Sequence, residues 1–185
     1  GAGPAALAIV TGLAAKARRP EEPTYTVLRN EPDFEVRAYN PTVEARVTMP
    51  GTYREAVRSA FQVLAGYIFG GNAPRTTMAM TTPVSATPAG ERIAMTSPVS
   101  ATEGTEGWTV SFTMPSDKPL NSLPKANDPR IQLVDVPGRT WAVRTFRGHA
   151  TNESVANETS NLRRDAEGAG LKLGSGSVVS QFNPP

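Results

Sequence analysis

Few side chains in this 185-residue chain can carry chemistry. It has no cysteine and a single histidine, His149. That excludes disulfides, thiolate metal sites, a cysteine nucleophile and any multi-histidine metal centre. A Ser-His-Asp arrangement can be assembled only through His149, and no Gly-x-Ser-x-Gly elbow precedes a helical pattern. No helical periodicity follows Gly174-Ser175-Gly176-Ser177, so this stretch reads as a flexible loop rather than a phosphate cradle. An enzymatic reading therefore has little to stand on. What remains is soft and apolar: five methionines, Met49, Met78, Met80, Met95 and Met114. Their unbranched thioethers line irregular clefts, although the ordinary role of such a side chain is to fill a gap in a core.

The elements that must position these residues follow from periodicity. Phe34, Val36 and Ala38 alternate with Glu35, Arg37 and Tyr39, as on a strand with one wet face. After the Asn40-Pro41 turn, Val43, Ala45, Val47 and Met49 alternate in the same way, which predicts a hairpin. Thr52 and Glu55 form a capping box ahead of a helical stripe of Ala56, Val57, Ala60, Phe61, Leu64, Ala65 and Ile68, and Gly70-Gly71 stops the helix. An internal repeat follows: Met78-Ala79-Met80-Thr81-Thr82-Pro83-Val84-Ser85 returns as Ile93-Ala94-Met95-Thr96-Ser97-Pro98-Val99-Ser100. Its composition predicts two short strands, each ended by its proline. Trp108, Val110, Phe112 and Met114 mark a half-buried strand, and the proline-rich stretch 115–130 a long surface loop. The first order then recurs: strands at Ile131–Val136 and Trp141–Phe146, a helix from about Asn152 to Glu167, and a last strand at Val178–Phe182. Each half reads as strand, strand, helix, strand, which suggests pseudo-twofold halves. The first half has one strand more, Ile93–Ser97.

Length predicts roughly one domain of the usual ~150 residues. Gly and Pro number 16 and 17, which favours turns and excludes a helical bundle or coiled coil. The net charge of +2 comes with no basic stripe, so nucleic acid is not an expected partner. Residues 2–15 are small and apolar, with Lys16, Arg18 and Arg19 behind them. That run is shorter than the ~20 residues that span a bilayer. Its positive charges also follow the apolar part, whereas those of a signal peptide precede it. Three readings stand: the tail of a membrane anchor, a helix docked on its own domain or on a partner, or a disordered arm. Residues 1–23 are thus expected as an apolar arm and linker, and 24–185 as a single domain. Localisation stays open between a soluble, a membrane-associated and an exported protein.

The ordered signatures Phe34-Glu35-Val36-Arg37-Ala38-Tyr39, Leu64-Ala65-Gly66-Tyr67-Ile68-Phe69-Gly70-Gly71-Asn72, the doubled Ala-Met-Thr-x-Pro-Val, Val110-Ser111-Phe112-Thr113-Met114-Pro115, Leu123-Pro124, Phe146-Arg147-Gly148 and Gln181-Phe182-Asn183-Pro184-Pro185 have a counterpart. In them the chain resembles the SOUL haem-binding protein family, from about Tyr25 to Pro185. The resemblance implies an α+β fold: a twisted antiparallel sheet or distorted barrel carrying two helices, built from two similar halves. That fold is similar to the effector-binding domains of certain multidrug regulators. Family members usually continue past Asn-Pro-Pro into a final strand containing Arg-Arg-Asn-Glu, which is absent here. An edge left open there would invite pairing with another chain.

The resemblance further implies a non-catalytic carrier or buffer of haem or a related tetrapyrrole, with haem not required for the fold. Such a ligand needs a flat apolar cleft, cations at its rim for the propionates and often an axial ligand. Val57, Phe61, Leu64 and Ile68 on the first helix, with Met78, Met80 and Met95, are the cleft candidates. The same helical face can simply cover the sheet. Arg58, Arg75 and Arg144 are rim candidates, and each can equally be a solvated surface charge. His149 stands at a strand end, where an imidazole can reach iron or can be an ordinary loop residue. Tyr39, Tyr53 and Tyr67 are other ligands for ferric iron. Two further readings compete. One is a structural or interaction subunit that docks on a protein partner or membrane through residues 1–20 and the open C-terminal edge. The other is an effector sensor, which would lack a DNA-binding module of its own.

Overall fold

The computed structural model describes residues 5–11, 21–73, 93 and 99–181. Its strands are β1 (Ala5–Thr11), β2 (Tyr25–Asn30), β3 (Glu35–Tyr39), β4 (Thr42–Met49), β5 (Asn72–Ala73), β6 (Val99–Gly104), β7 (Gly107–Thr113), β8 (Lys125–Ala126), β9 (Gln132–Val136), β10 (Arg139–Phe146) and β11 (Leu173–Gln181). The helices are α1 (Tyr53–Ile68) and α2 (Asn152–Gly168). Nine strands form one curled sheet, a half-barrel, in the order β2-β3-β10-β1-β11-β6-β7-β4-β9, while β5 and β8 pair separately. This is the expected α+β fold with two helices.

The order is palindromic once the outermost β2 is set aside. From the two ends inward, β3 matches β9, β10 matches β4, β1 matches β7, and β11 matches β6. The helices match likewise: α1 packs on β4, β6 and β7, and α2 on β10, β11 and β1. Pairing is antiparallel throughout the sheet except at β1, which runs parallel to both β10 and β11. The sheet is therefore mixed rather than purely antiparallel.

Beneath α1 lies the larger core. Val57, Leu64 and Ile68 meet Ala45, Val47, Val110 and Phe112 there, and Leu123 closes one side. Beneath α2, Leu162 and Ala166 pack with Leu7, Phe34, Val36 and Ala142. An ion cluster fixes α2 to the sheet. The Arg144 guanidinium of β10 reaches Asp165 at 2.8 Å and Glu158 at 3.4 Å, both on α2, and Asp33 at 3.7 Å.

Five expectations change. The hairpin expected across Asn40-Pro41 does not form: the chain crosses between opposite ends of the sheet there, so β3 pairs with β2 and β10, and β4 with β7 and β9. Residues 5–11, expected within an anchor tail, docking helix or disordered arm, form a strand inside the sheet. The C-terminal edge, expected to be open, is covered, because β11 has β1 on one side and β6 on the other. The strand described in the second repeat starts after Pro98 and makes a tight hairpin with β7 through Thr105-Glu106. A strand following its proline loses no ladder bond to it; residues 94–97 of the strand expected at Ile93–Ser97, and the first repeat copy at 78–87, lie outside the described residues. Finally, the stretch 115–130 is more than a surface loop. It holds a 3-10 turn at Leu120–Ser122, buries Leu123 and Pro124, and adds β8.

Candidate functional site

Helix α1 starts where the capping box places it: the Glu55 carboxylate accepts from the Thr52 backbone N–H at 3.0 Å and from its hydroxyl at 2.8 Å. Those bonds hold the Glu55 carboxyl below its ordinary range. From that fixed start the helical period assigns the faces. Val57, Leu64 and Ile68 turn onto the sheet and are buried, so of the four helix residues expected in a cleft only Phe61 reaches the rim. Phe61 is half-buried, edge-on to Phe112 with ring centroids 5.4 Å apart. The outer stripe at positions i, i+4, i+7, i+11 and i+15 is Arg54, Arg58, Phe61, Ala65 and Phe69. Among the described residues neither Arg54 nor Arg58 has a carboxylate partner. Phe69, at the helix C-terminus, is 52% exposed. Next to the stripe, a Cβ on Gly66 would meet nothing within 4 Å. The result is a strip with cations at one end, the Phe69 ring at the other, and Phe61, Ala65 and the open side of Gly66 between.

Two landmarks bracket this strip. At its C-terminal end the Ile93 backbone N–H donates to the Ile68 carbonyl at 2.8 Å, which ties the entrance of the second repeat to α1. Met78, Met80 and Met95, and with them Arg75, lie outside the described residues. At the N-terminal end the Asn152 side chain accepts from the Arg54 backbone N–H at 3.4 Å, so the start of α2 meets the start of α1. His149 stands three residues before Asn152 and is exposed. Its carbonyl accepts from the Thr151 N–H and the Ser154 hydroxyl, while its imidazole has no hydrogen-bond partner among the described residues. The rise of ~1.5 Å per residue puts Phe69 roughly 22 Å along the axis from Arg54. His149 is thus at the cationic end of the strip, far from the aromatic one.

The other ligand candidates fare differently. Tyr67 donates to the Pro124 carbonyl at 2.8 Å, and the Tyr39 hydroxyl accepts from Arg37 at 3.2 Å. Tyr53, 3% exposed and edge-on to Trp108, has a buried hydroxyl with no partner among the described residues. Burial pushes the hydroxyls of Tyr39 and Tyr53 upward, for Tyr53 far above the usual phenol range, and so opposes the phenolate that iron would need. Arg144 is taken up by three carboxylates and presents no free guanidinium for a propionate. No group of three or more His, Asp or Glu among the described residues is placed to hold a metal ion, and no described helix is long and apolar enough to cross a membrane.

A cavity of about 520 Å³ lies elsewhere, between residues 21–24 and the ends of β4, β7 and β9. Pro41, Val43, Met114 and Pro137 line it, together with the carboxylates Glu21, Glu22 and Asp135 and one cation, Lys118. A lining with that excess of carboxylates disfavours a dianionic porphyrin, and the cavity shares no residue with the α1 strip.

The model of one known family, described as SOUL heme-binding protein, matches residues 20–185. This chain belongs to the SOUL haem-binding family. The match covers the expected extent and leaves only the first nineteen residues outside it. No curated protein matches the chain.

The strip adds residues that periodicity alone did not single out. Arg54 and Phe69 belong with Arg58 and Phe61, while Ala65 was already part of the expected apolar stripe. The available signal was the helical spacing itself, extended from the apolar face to the face beside it.

Proposed function

We propose that the chain binds haem or a related tetrapyrrole against the outer flank of α1 and acts as a carrier or buffer with no chemical step of its own. Family membership supports the ligand class. The observation that carries the site is the strip of Arg54, Arg58, Phe61, Ala65 and Phe69, with both guanidinium groups unpaired among the described residues. A tetrapyrrole is a flat apolar disc with carboxylates on one edge. The small Ala65 and the open side of Gly66 admit the disc, Phe61 and Phe69 offer ring contacts, and Arg54 and Arg58 would take the propionates in bidentate fashion. When bound, the iron would supply an open coordination position. His149, at the cationic end, is the described imidazole free to approach it.

The test is a haem titration followed by absorbance. A saturating Soret band is expected, weakened about a hundredfold or more in affinity by Arg54→Glu/Arg58→Glu, since each of the two lost charge-assisted pairs contributes roughly 1.5–3 kcal/mol. His149→Ala should shift the band position if the imidazole ligates iron and leave it unmoved if the cleft alone holds the ligand. No band at stoichiometric haem refutes the reading; full binding by the double Glu variant refutes the site.

A further inference from the structure

The cavity between residues 21–24 and the ends of β4, β7 and β9 takes no part in tetrapyrrole binding, yet the fold holds it in shape. The Ser116 N–H donates to the Glu21 carboxylate at 3.0 Å. The Asn40 N–H donates to the Thr24 carbonyl at 3.0 Å, and its side-chain amide donates to the Thr24 hydroxyl at 2.7 Å. The segment 21–24 is thereby tied to the sheet at both of its ends. The volume of about 520 Å³ lies within the ~300–1,000 Å³ of small-molecule sites. Met114, Pro115 and Val136 in the lining are buried and Val43 is half-buried, so an occupant meets apolar surface.

The polar part of the lining is one-sided. Pro23, Pro41, Pro115, Pro119 and Pro137 each bring a carbonyl and no N–H. The N–H groups of Met114, Ser116 and Lys118 are already spent, on the Val43 carbonyl at 2.7 Å, on Glu21, and on the Pro115 carbonyl at 3.0 Å. Three carboxylates line the cavity against one ammonium, a net of two negative charges. Among the described residues the side chains of Glu22 and Asp135 have no ion pair and no hydrogen bond. The lining is thus rich in acceptors, poor in donors and negative, and an anion is disfavoured on every count. Nor are the carboxylates gathered to hold a metal ion. We propose that the cavity is a second ligand site, one for an organic amine. Its ammonium group would pair with Glu22 and Asp135, and its apolar body would lie on Val43, Met114 and Val136. The site shares no residue with the α1 strip, whose charges are of the opposite sign, and it stands independently of the tetrapyrrole reading.

Three probes of one shape and different charge test the site: 4-phenylbutylamine, 4-phenylbutanol and 4-phenylbutyrate. They are titrated into the isotope-labelled full chain and followed by backbone amide NMR. The amine should give saturable shifts centred on Thr42, Val43, Ser116, Lys118 and Asp135. The alcohol should bind roughly fivefold or more weakly, as two exposed ion pairs warrant, and the butyrate should not bind. Glu22→Gln/Asp135→Asn keeps the size of both side chains and removes their charge. It should bring the affinity for the amine down to that for the alcohol, with the urea midpoint unchanged. No saturable shift at millimolar amine overturns the site, as do shifts centred outside the cavity. Equal binding of amine and alcohol by the parent, or an amine affinity indifferent to the double variant, overturns the ligand class. Loss of the amine on adding haem would place it on the α1 strip and overturns the second site.

Discussion

Single residues decide how tightly the parts are joined. Gly107 sits at φ +121°, and a Cβ there would lie 2.3 Å from the Met49 carbonyl oxygen and 2.8 Å from the Pro50 Cα. Both the conformation and the close approach require glycine. Gly107→Ala is therefore expected to destabilise the protein by more than about 1 kcal/mol, read as a fall in the urea midpoint at unchanged slope. Asp165 has a different kind of importance. The guanidinium of Arg144 holds its carboxyl below the ordinary value of 3.8. A carboxyl lowered by folding contributes stability above that ordinary value and loses it as the pH falls through the lowered one. Asp165→Asn should thus be less stable than the parent at neutral pH. The two urea midpoints should converge in acid below about pH 4, where Asp carboxyls protonate. Parallel midpoints across the whole range would show that the ion cluster does not couple to folding.

At the scale of elements, most of the fold was legible. Helix α1 was announced by its capping box, its apolar stripe and the Gly70-Gly71 stop, and it spans Tyr53–Ile68. Strands β3 and β4 were equally plain from alternation on either side of Asn40-Pro41, but not their partners: alternation does not say which strand lies alongside, and the two stand near opposite ends of the sheet. Two elements escaped for physical reasons. The β6–β7 hairpin turns on Gly104-Thr105-Glu106-Gly107, whose only signal is a pair of glycines with two residues between them, and the prolines of the repeat drew attention to the residues before Pro98 rather than after it. Strand β1 is apolar on both faces, so it has no alternation to read, and its pairing with β10 and β11 is wholly non-local. The site divides in the same way. The buried side of α1 was visible as a stripe, but whether Val57, Leu64 and Ile68 face a ligand or the sheet depends on what packs opposite, and Ala45, Val47, Val110 and Phe112 do. Arg144 looked like any rim cation until the topology brought Asp33, Glu158 and Asp165 around it.

For the molecule as a whole, the first and last described strands are neighbours that point the same way. Ala5 lies opposite Leu173 and Thr11 opposite Gln181. Consider a handle attached at Ala5 and another at Gln181, drawn apart. Because the two strands are parallel, the handles sit at opposite ends of the ladder, and the tension runs along the strands. The bonds between them then load together, in shear. With handles at Ala5 and Leu173 the tension runs across the ladder and breaks its bonds one after another. Forced unfolding follows the unfolding rate, so a single-molecule pulling experiment should show a clearly higher rupture force for the first pair of handles than for the second. Equal forces would mean that the β1–β11 ladder bears no load.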